Sequence, residues 1–312
     1  MVNRVLVTGA AGFIGSHLCR RLVAEGSVVV GLDDLSEGSL DNLADVPEVK
    51  FVEGDLRDED AVAEAARGCD SIFHQGARRS VARSMVEPGI TNDTNVRGTL
   101  NVLLAARETR ASVVAASSSS VYGDQAVFPQ VERMAPQPRS PYAASKLAVE
   151  VYCGAVWRSY GVPSAALRYF NVYGPRQDPA SEYAAVVPRF TVACLIGERP
   201  VIQGDGEQAR DFTYIDDVID ANLAAARTPG ACDGTAYNIG GGQEPTSVNR
   251  LLGIIAGLCK ADPDPVYEPP RPGDVRFSHA DVSLARSRFG YQPKVGMEEG
   301  LRRTVESFAS RG

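Results

Sequence analysis

The chain has 312 residues, 44% hydrophobic and 23% charged, a composition typical of a globular protein large enough to form a sizeable core. Its net charge is −7 and it has no basic tail, which argues against nucleic acid as a main partner. We expect no membrane span and no signal peptide, because no apolar run reaches about 18 residues.

The cysteine and histidine patterns predict neither disulfides nor a metal site. The six cysteines are scattered without C-x-x-C spacing, and the three histidines do not cluster. Reduced thiols of this kind are typical of a cytoplasmic protein, so we expect a cytoplasmic location.

Strands and helices alternate through the first half of the sequence. The predicted strands are 2–8, 27–32, 50–54, 71–74, 111–116 and 162–170. The predicted helices are 16–25, 58–67, 92–107 and 142–160. This alternation predicts an α/β Rossmann fold, a doubly wound parallel sheet whose ligands bind at the carboxyl ends of the strands.

The pattern becomes irregular after residue 170. The predicted elements are strands at 200–204 and 235–239, helices at 189–196, 218–227, 248–258 and 297–307, and a proline-rich connector at 263–272. We therefore expect a Rossmann domain over residues 1–170, with a return segment near 211–240. A smaller, irregular α/β substrate-binding lobe over residues 171–312 would lie above the ligand edge of the sheet.

A glycine-rich turn joins the first predicted strand to the first helix. Gly9, Gly12 and Gly15 have the spacing G-x-x-G-x-x-G. Glycines at such a junction let the backbone approach a pyrophosphate, which then binds at the helix N-terminus. A glycine turn alone is weak evidence, because any strand-to-helix junction can contain one.

An acidic pair, Asp33 and Asp34, ends the second predicted strand. A carboxylate here accepts hydrogen bonds from an adenosine ribose and repels a 2′-phosphate, so it favours NAD over NADP. The alternative is an aspartate that merely caps a helix or turn.

Tyr142 and Lys146 are four residues apart on a predicted helix, which places both side chains on one face. A nearby ammonium favours the phenolate and should lower the pKa of Tyr142 from its usual value of about 10. A tyrosine tuned in this way can act as a general base and acid. Taken alone, the spacing could also arise by chance on an amphipathic helix.

The motifs together resemble the extended short-chain dehydrogenase/reductases, specifically the nucleotide-sugar epimerase/dehydratase family. The resemblance covers nearly the whole chain. Its motifs are T-G-x-x-G-F-I-G at 8–15, S-S-S-S-V-Y-G at 117–123, Y-A-A-S-K at 142–146, L-R-Y-F-N-V-Y-G-P-R at 167–176 and G-D-G-E-Q-x-R-D-F-T-Y-I-D-D at 204–217.

The resemblance implies bound NAD and assigns residues to it. The implied NAD-binding residues are Gly9, Gly12, Phe13, Ile14, Gly15, Asp33, Asp55, Leu56, Gln75, Gly76, Ala77, Asn95, Tyr142, Lys146 and Tyr169. Within this set, Asp33 would hold the adenosine ribose and Tyr169 would contact the carboxamide.

The resemblance also implies a catalytic group of Ser118, Tyr142 and Lys146, although the run of four serines leaves the register open by one position. The implied UDP-sugar-binding residues are Ser80, Ser118, Ser119, Asn171, Ala185, Val186, Phe190, Arg210, Arg271, Asp274 and Ser278. Arg210 and Arg271 would bind the diphosphate, for which arginine is well suited.

The residues after Ser118 favour one reaction of the family. Dehydratases of the family carry Asp-Glu where this chain has Ser119 and Ser120, and a hydroxyl cannot replace a carboxylate in proton transfer. The resemblance therefore implies an NAD-dependent 4-epimerase of UDP-hexoses. A dehydratase, a UDP-glucuronate 4-epimerase and a module that only senses NAD(H) remain alternatives.

Two positions bear on the sugar. Relatives that act on UDP-glucuronate tend to carry an arginine where this chain has Asp178. Ser278 matches a position beside C2 of the sugar, where a tyrosine would exclude an N-acetyl group. We expect UDP-glucose and UDP-galactose to react and their N-acetyl forms to be accepted. The helices at 92–107 and 142–160 resemble the pair that forms the homodimer interface in the family. Their apolar residues fit that role and fit core packing against the sheet equally well: Leu100, Leu103, Leu104, Leu147, Val151 and Val156.

Overall fold

The computed structural model describes residues 3–179, 185–270 and 275–310. The elements of the first half are β1 (Arg4–Thr8), α1 (Phe13–Ala24), β2 (Val28–Asp33), β3 (Lys50–Glu53), α2 (Glu59–Ala66), β4 (Ser71–His74), α3 (Val81–Val86), α4 (Pro88–Asn92), α5 (Gly98–Thr109), β5 (Ser112–Ser118), α6 (Pro141–Tyr160) and β6 (Ser164–Tyr169).

The second half contains shorter strands between its helices. Its elements are β7 (Val172–Tyr173), α7 (Val186–Ile196), β8 (Val201–Gln203), β9 (Ala209–Arg210), β10 (Thr213–Tyr214), α8 (Ile215–Arg227), β11 (Asp233–Ile239), β12 (Thr246–Ser247), α9 (Val248–Cys259), β13 (Val266–Glu268), α10 (Ser283–Phe289) and α11 (Met297–Ala309).

Seven parallel strands form the central sheet in the order β11-β6-β5-β4-β1-β2-β3. The strand order reverses between β1 and β4, and the crevice at such a point is where ligands of these sheets bind. The prediction of a doubly wound Rossmann fold is confirmed. Strand β11 lies within the expected return segment, and the division into two domains stays a prediction.

Helices cover both faces of the sheet. Helices α1 and α8 pack on one face, and α2, α5 and α6 pack on the other. The buried apolar side chains accordingly form two clusters, one under each layer of helices. None of the helices in the described segments is both long and apolar enough to cross a membrane.

The predicted helix 92–107 is interrupted. A π-helical turn, Asp93–Arg97, lies between α4 and α5 and shifts the phase of the backbone. The turn places Asn95 in the interior, with 1% of its surface exposed. The sequence pattern missed this change because the apolar residues continue on both sides of it.

Other boundaries and elements also differ from the predictions. Helix α7 begins at Val186 rather than 189, and α8 begins at Ile215 rather than 218. The proline-rich connector contains β13, which pairs with β8. Helices α3, α4 and α10 were not predicted, because each spans seven residues or fewer and presents too little periodicity.

Candidate active site

A cleft runs along the carboxyl edge of the sheet, above β1, β2, β4 and β5. Thirteen of the predicted NAD-binding residues line it: Gly9, Gly12, Phe13, Ile14, Gly15, Asp33, Leu56, Gln75, Gly76, Ala77, Tyr142, Lys146 and Tyr169. Two of the predicted residues, Asp55 and Asn95, are not part of this lining.

The glycine turn forms the floor of the cleft. Gly9 has a φ of +66°, and an added Cβ atom would lie 2.7 Å from the backbone of Gly76. A Cβ atom on Gly15 would overlap the carbonyl oxygen of Gly9. Gly12 is the N-cap of α1, and no side chain in the described residues caps this helix. Its first N–H groups therefore remain as donors for an anion in the cleft.

Asp33 lies at the end of β2 with 8% of its surface exposed. Its Oδ2 accepts a hydrogen bond from the Ala11 N–H at 3.0 Å, and its Oδ1 accepts one from the Leu35 N–H at 2.9 Å. Burial raises the pKa of this carboxyl group, and the two N–H donors oppose the shift. Each oxygen keeps a lone pair with which it can accept a hydroxyl group.

Asp55 does not direct its carboxylate into the cleft. The Arg57 side chain donates two hydrogen bonds from Nε, at 3.0 and 2.9 Å, and this pairing holds the pKa of Asp55 below its usual range. Leu56 supplies the apolar wall instead. The expected position of Asp55 beside the adenine stays a prediction, and the structure adds that Arg57, two residues away, pairs with its carboxylate.

Asn95 supports the wall of the cleft from behind. Its Oδ1 accepts a hydrogen bond from the Arg78 N–H at 2.7 Å, and its Nδ2 donates to the Arg78 carbonyl oxygen at 3.0 Å and to Ser145 Oγ at 2.9 Å. The amide therefore fixes the loop after β4 against α6. Asn95 is not among the residues that line the cleft, and its expected part in binding the nicotinamide half of NAD stays a prediction.

Tyr169 is held in one orientation at the end of β6. Its hydroxyl donates to Gln75 Oε1 at 3.2 Å and accepts from Asn222 Nδ2 at 2.9 Å. Gln75 Nε2 donates to Asn222 Oδ1 at 3.1 Å, which closes the network. Burial raises the pKa of Tyr169, so its hydroxyl stays protonated. Asn222, on α8, was not predicted, because it lies just beyond the end of the motif at 204–217.

Tyr142 lies on the first turn of α6, where Ser140 caps the helix through the Ala143 N–H. Burial raises the pKa of Tyr142, while a hydrogen bond with Ser118 and the charge of Arg79 lower it. The predicted net lowering is therefore wrong for this structure, because desolvation of the phenolate is the largest effect.

Lys146 is one turn further along α6, and 5% of its surface is exposed. Its Nζ donates to the carbonyl oxygen of Ala116 at 2.8 Å. Burial lowers its pKa to about 8. Both side chains line the cleft, as the spacing predicts.

The structure separates the roles of the four serines. Ser118 contacts Tyr142, and its Oγ donates to Ser120 Oγ at 3.0 Å. Ser117 Oγ donates to Glu150 Oε1 at 2.5 Å. Ser119 begins a short 3₁₀ turn, Ser119–Tyr122, directly after β5. Of the run, Ser118 is the residue placed against the phenol.

Charged residues that the motifs did not single out lie at the mouth of the cleft. Glu37, on the loop after β2, forms ion pairs with Arg78 at 3.5 Å, Arg79 at 3.3 Å and Arg83 at 3.7 Å. Glu37, Arg78 and Arg79 all line the cleft. The sequence feature that could have identified these residues is their position after β2 and β4, at the carboxyl ends of strands, where ligands of such sheets bind.

Several predicted substrate-binding residues lie beyond the cleft, in the second half of the chain. Asn171, with a φ of +32°, donates from Nδ2 to the Asp211 carbonyl oxygen at 2.9 Å and to Ser278 Oγ at 3.2 Å. Ser278 is 5% exposed. Arg210 is half-buried on β9, next to Asp211.

The remaining predicted residues have varied surroundings. Ala185 is the N-cap of α7, Val186 is its first residue, and Phe190 is buried in the core on the same helix. Ser80 caps α3 by accepting a hydrogen bond from the Arg83 N–H at 3.0 Å. Arg271 and Asp274 lie outside the described residues.

Comparison with known proteins gives consistent matches along the chain. Residues 5–240 match the model of the NAD dependent epimerase/dehydratase family. A UDP-glucose 4-epimerase of Mycolicibacterium smegmatis is 43% identical over 314 residues, covering 99% of this chain and 99% of that protein.

Two solved structures resemble the chain over its length. One is a UDP-glucose 4-epimerase from Thermotoga maritima with UDP-glucose, with a TM-score of 0.94, 40% identity and 99% coverage of each chain. The other is a UDP-N-acetylglucosamine 4-epimerase from Methanobrevibacter ruminantium in complex with UDP-N-acetylmuramic acid. It has a TM-score of 0.94 and 38% identity, and the match covers all of both chains.

Proposed function

The chain belongs to the NAD-dependent epimerase/dehydratase family, and we propose that it is an NAD-dependent 4-epimerase of UDP-hexoses. The observation that carries the proposal is the contact of Ser118 with Tyr142 beside Lys146, at the end of the cleft that starts from the glycine turn. In the proposed function, Tyr142 is the proton acceptor for a sugar hydroxyl.

The backbone and side chains that form the cleft are suited to binding NAD. A Cβ atom on Gly9 or Gly15 would close the turn, and the uncapped N-terminus of α1 offers N–H groups to a pyrophosphate. Asp33 is a buried carboxylate at the end of β2, where it would bind the adenosine ribose. When bound there, NAD would accept a hydride from C4 of the sugar and later return it.

Residues of the chain would transfer the proton of the sugar hydroxyl. Tyr142 would take the proton of the C4 hydroxyl and give it back after the 4-keto sugar has turned over. Ser118 would hydrogen-bond the C4 oxygen, and Lys146 would supply positive charge beside the site. Arg210 and Arg271 would bind the diphosphate, which leaves the sugar able to rotate.

The preferred reaction is epimerisation rather than dehydration. Ser119 and Ser120 follow Ser118 at the positions where dehydratases of the family carry an acid and a base, and neither serine can transfer a proton at neutral pH. Asp178 lines the cleft, and its negative charge disfavours a uronate. We therefore propose UDP-glucose and UDP-galactose as substrates, with the N-acetylated sugars also accepted.

We further propose a homodimer formed through the surface of α3, α4 and α6. The apolar side chains that these neighbouring helices expose include Met85 at 62%, Val86 at 78%, Ile90 at 40% and Val151 at 62%. Leu103 and Val156, which the sequence also suggested, are buried within the subunit. We place the protein in the cytoplasm because its cysteines are unpaired and five of the six are buried.

The decisive experiment uses the purified protein without added cofactor. The protein is incubated with UDP-glucose, UDP-N-acetylglucosamine and UDP-glucuronate, and the products are separated and weighed by mass spectrometry. We expect new UDP-sugars of unchanged mass from the first two. Loss of one water would identify a dehydratase, and conversion of UDP-glucuronate alone would contradict the proposed substrates.

A further inference from the structure

The face of α6 that carries Tyr142 and Lys146 continues for one more turn to Glu150, a buried carboxylate that the proposed chemistry does not use. The Glu150 side chain is 7% exposed and the Arg168 side chain, on β6, is 5% exposed. Arg168 donates from Nε to Oε1 at 2.8 Å and from Nη2 to Oε2 at 2.7 Å. The two charges form a bidentate ion pair in the interior.

Glu150 also holds the strand that ends at the cleft. Ser117 Oγ donates to Glu150 Oε1 at 2.5 Å, and Ser117 is 2% exposed. The carboxylate therefore accepts from a guanidinium and from a hydroxyl at once. Because Ser117 directly precedes Ser118, any movement of Ser117 is passed to the hydroxyl that contacts Tyr142.

Three contacts join one face of α6 to the end of β5. Three residues of α6 at four-residue intervals, on neighbouring turns of one face, bind three successive residues of the strand. The pairs are Ala116 with Lys146, Ser117 with Glu150, and Ser118 with Tyr142. Because Ser117 lies between Ala116 and Ser118 on the strand, a change in its contact with Glu150 should disturb the contacts of both neighbours.

Arg168 is itself fixed from its other side. Its Nη1 donates to the Tyr122 hydroxyl at 2.8 Å, and its guanidinium lies 4.7 Å from the centre of the Tyr122 ring. The Tyr122 hydroxyl donates to Asn238 Oδ1, on β11, at 2.7 Å. The network thus joins α6 to β5, β6 and β11, and leaves the Glu150 carboxylate little freedom to move.

Stability alone is a weak reason for this arrangement. Removing two charges from water costs nearly as much as their attraction returns, so an apolar pair of similar volume would stabilise the interior at least as well. The ion pair instead fixes the orientation of the Glu150 carboxylate, because a carboxylate in a bidentate pair can accept from Ser117 in one geometry only.

We propose that Glu150 is a positioning residue. Held by Arg168, it fixes Ser117 and thereby keeps Ser118 and Lys146 in place beside Tyr142, where the substrate binds. The inference rests on the proposed function, because it assigns Glu150 a part in the same site. Glu150 touches neither the cleft nor the reacting atoms and acts only through β5.

The first test replaces Ser117 by cysteine, and separately by alanine, in the full-length protein. Cysteine has a similar size but is a weak donor, and the Glu150–Arg168 pair stays intact. We expect kcat to fall by about tenfold, roughly the effect of one lost hydrogen bond, while KM changes little. Ser112→Ala is the control, because it removes a 2.9 Å bond to Ser71 at the opposite end of β5.

The second readout does not require turnover. The tyrosinate absorbance of each protein is titrated against its Tyr142→Phe counterpart, which isolates the pKa of Tyr142. The charged groups facing this phenol are Arg79, from the loop after β4, and Lys146, on its own helix; both remain in the variants. Loss of the Ser118 contact should therefore raise the pKa and move the acidic limb of kcat to higher pH.

Glu150→Gln provides an independent variant, since it keeps an oxygen that can accept from Ser117 but leaves Arg168 without its counter-charge. We expect a lower kcat and a raised Tyr142 pKa in this variant also. Wild-type kcat and an unchanged Tyr142 pKa in folded Ser117→Cys and Ser117→Ala would overturn the proposal. An inactive wild-type protein would instead count against the proposed function, and the titration would still decide the role of Glu150.

Discussion

Lys146 donates a hydrogen bond from Nζ to the carbonyl oxygen of Ala116 at 2.8 Å. The bond holds the ammonium at the end of β5, in the cleft that also contains the Tyr142 phenol. Burial lowers the pKa of Lys146 to about 8 and raises that of Tyr142. In the folded protein, the contacts that lower the Tyr142 pKa come from Ser118 and Arg79.

Tyr142→Phe should reduce turnover by about 10²–10⁴-fold, the usual contribution of a positioned acid or base. UDP-sugar binding should remain, because the change removes one hydroxyl group. The measurement is conversion of UDP-galactose to UDP-glucose, together with calorimetric binding of UDP. Tyr160→Phe, on the exposed end of the same helix, is the control. Near-normal turnover in Tyr142→Phe would exclude the assigned role.

His74→Gln should weaken the dependence of stability on acid pH. His74 is buried between Thr8 and Thr99, and burial, helped by the charge of Lys146, lowers its pKa to about 3. Between pH 6.5 and 3 the unfolded chain binds a proton that the folded protein excludes. The free energy of unfolding should therefore decrease as the pH falls through this range.

Urea denaturation at several pH values between 7.5 and 4.5 measures this effect. The wild-type protein should lose more stability on acidification than His74→Gln does. Parallel curves for the two proteins would show that His74 does not contribute to the acid response.

Arg168→Met should destabilise the protein by about 3–5 kcal/mol, because it leaves the buried Glu150 carboxylate without its counter-charge. Arg302→Met is the matched control, since Arg302 pairs with Glu299 on the surface, where screening makes ion pairs weak. Thermal and urea unfolding measure both variants. A double variant, Glu150→Leu with Arg168→Met, should recover part of the loss. Equal small effects of Arg168→Met and Arg302→Met would contradict the importance of the buried pair.

Ser278→Tyr should impair the reaction of N-acetylated sugars more than that of UDP-glucose. Ser278 is buried and accepts a hydrogen bond from Asn171 Nδ2, so a phenol ring there would occupy space beside the proposed sugar site. Turnover of UDP-N-acetylglucosamine and UDP-glucose is compared for each protein. Ser278→Ala, which adds no volume, should retain both activities. Equal loss of turnover with both substrates in Ser278→Tyr would contradict the prediction that the side chain at position 278 limits the size of the sugar substituent.

Glu37→Gln should increase the loss of NAD from the protein. Glu37 forms ion pairs with Arg78, Arg79 and Arg83 across the mouth of the cleft, and these contacts connect the loops after β2 and β4. Retained NAD is measured after extended dialysis. Glu87→Gln is the control, because Glu87 also pairs with Arg83, at 3.0 Å, but does not line the cleft. Equal retention in both variants would show that Glu37 does not restrain the cofactor.

Local sequence determined the scaffold of the site. The alternation of apolar strands and amphipathic helices predicted the parallel sheet, and the glycine spacing placed the turn after β1. The four-residue interval placed Tyr142 and Lys146 on one face of α6, because helical geometry fixes that relation without any tertiary contact.

Only the tertiary structure decided which residues meet across these elements. Ser118, at the end of β5, contacts Tyr142, whereas Ser119 and Ser120 belong to the 3₁₀ turn that follows the strand. Glu150 meets Arg168 and Ser117 through the docking of α6 on β5 and β6, a register that no local periodicity encodes. Contacts between segments distant in sequence depend on how whole elements pack, so spacing alone leaves them open.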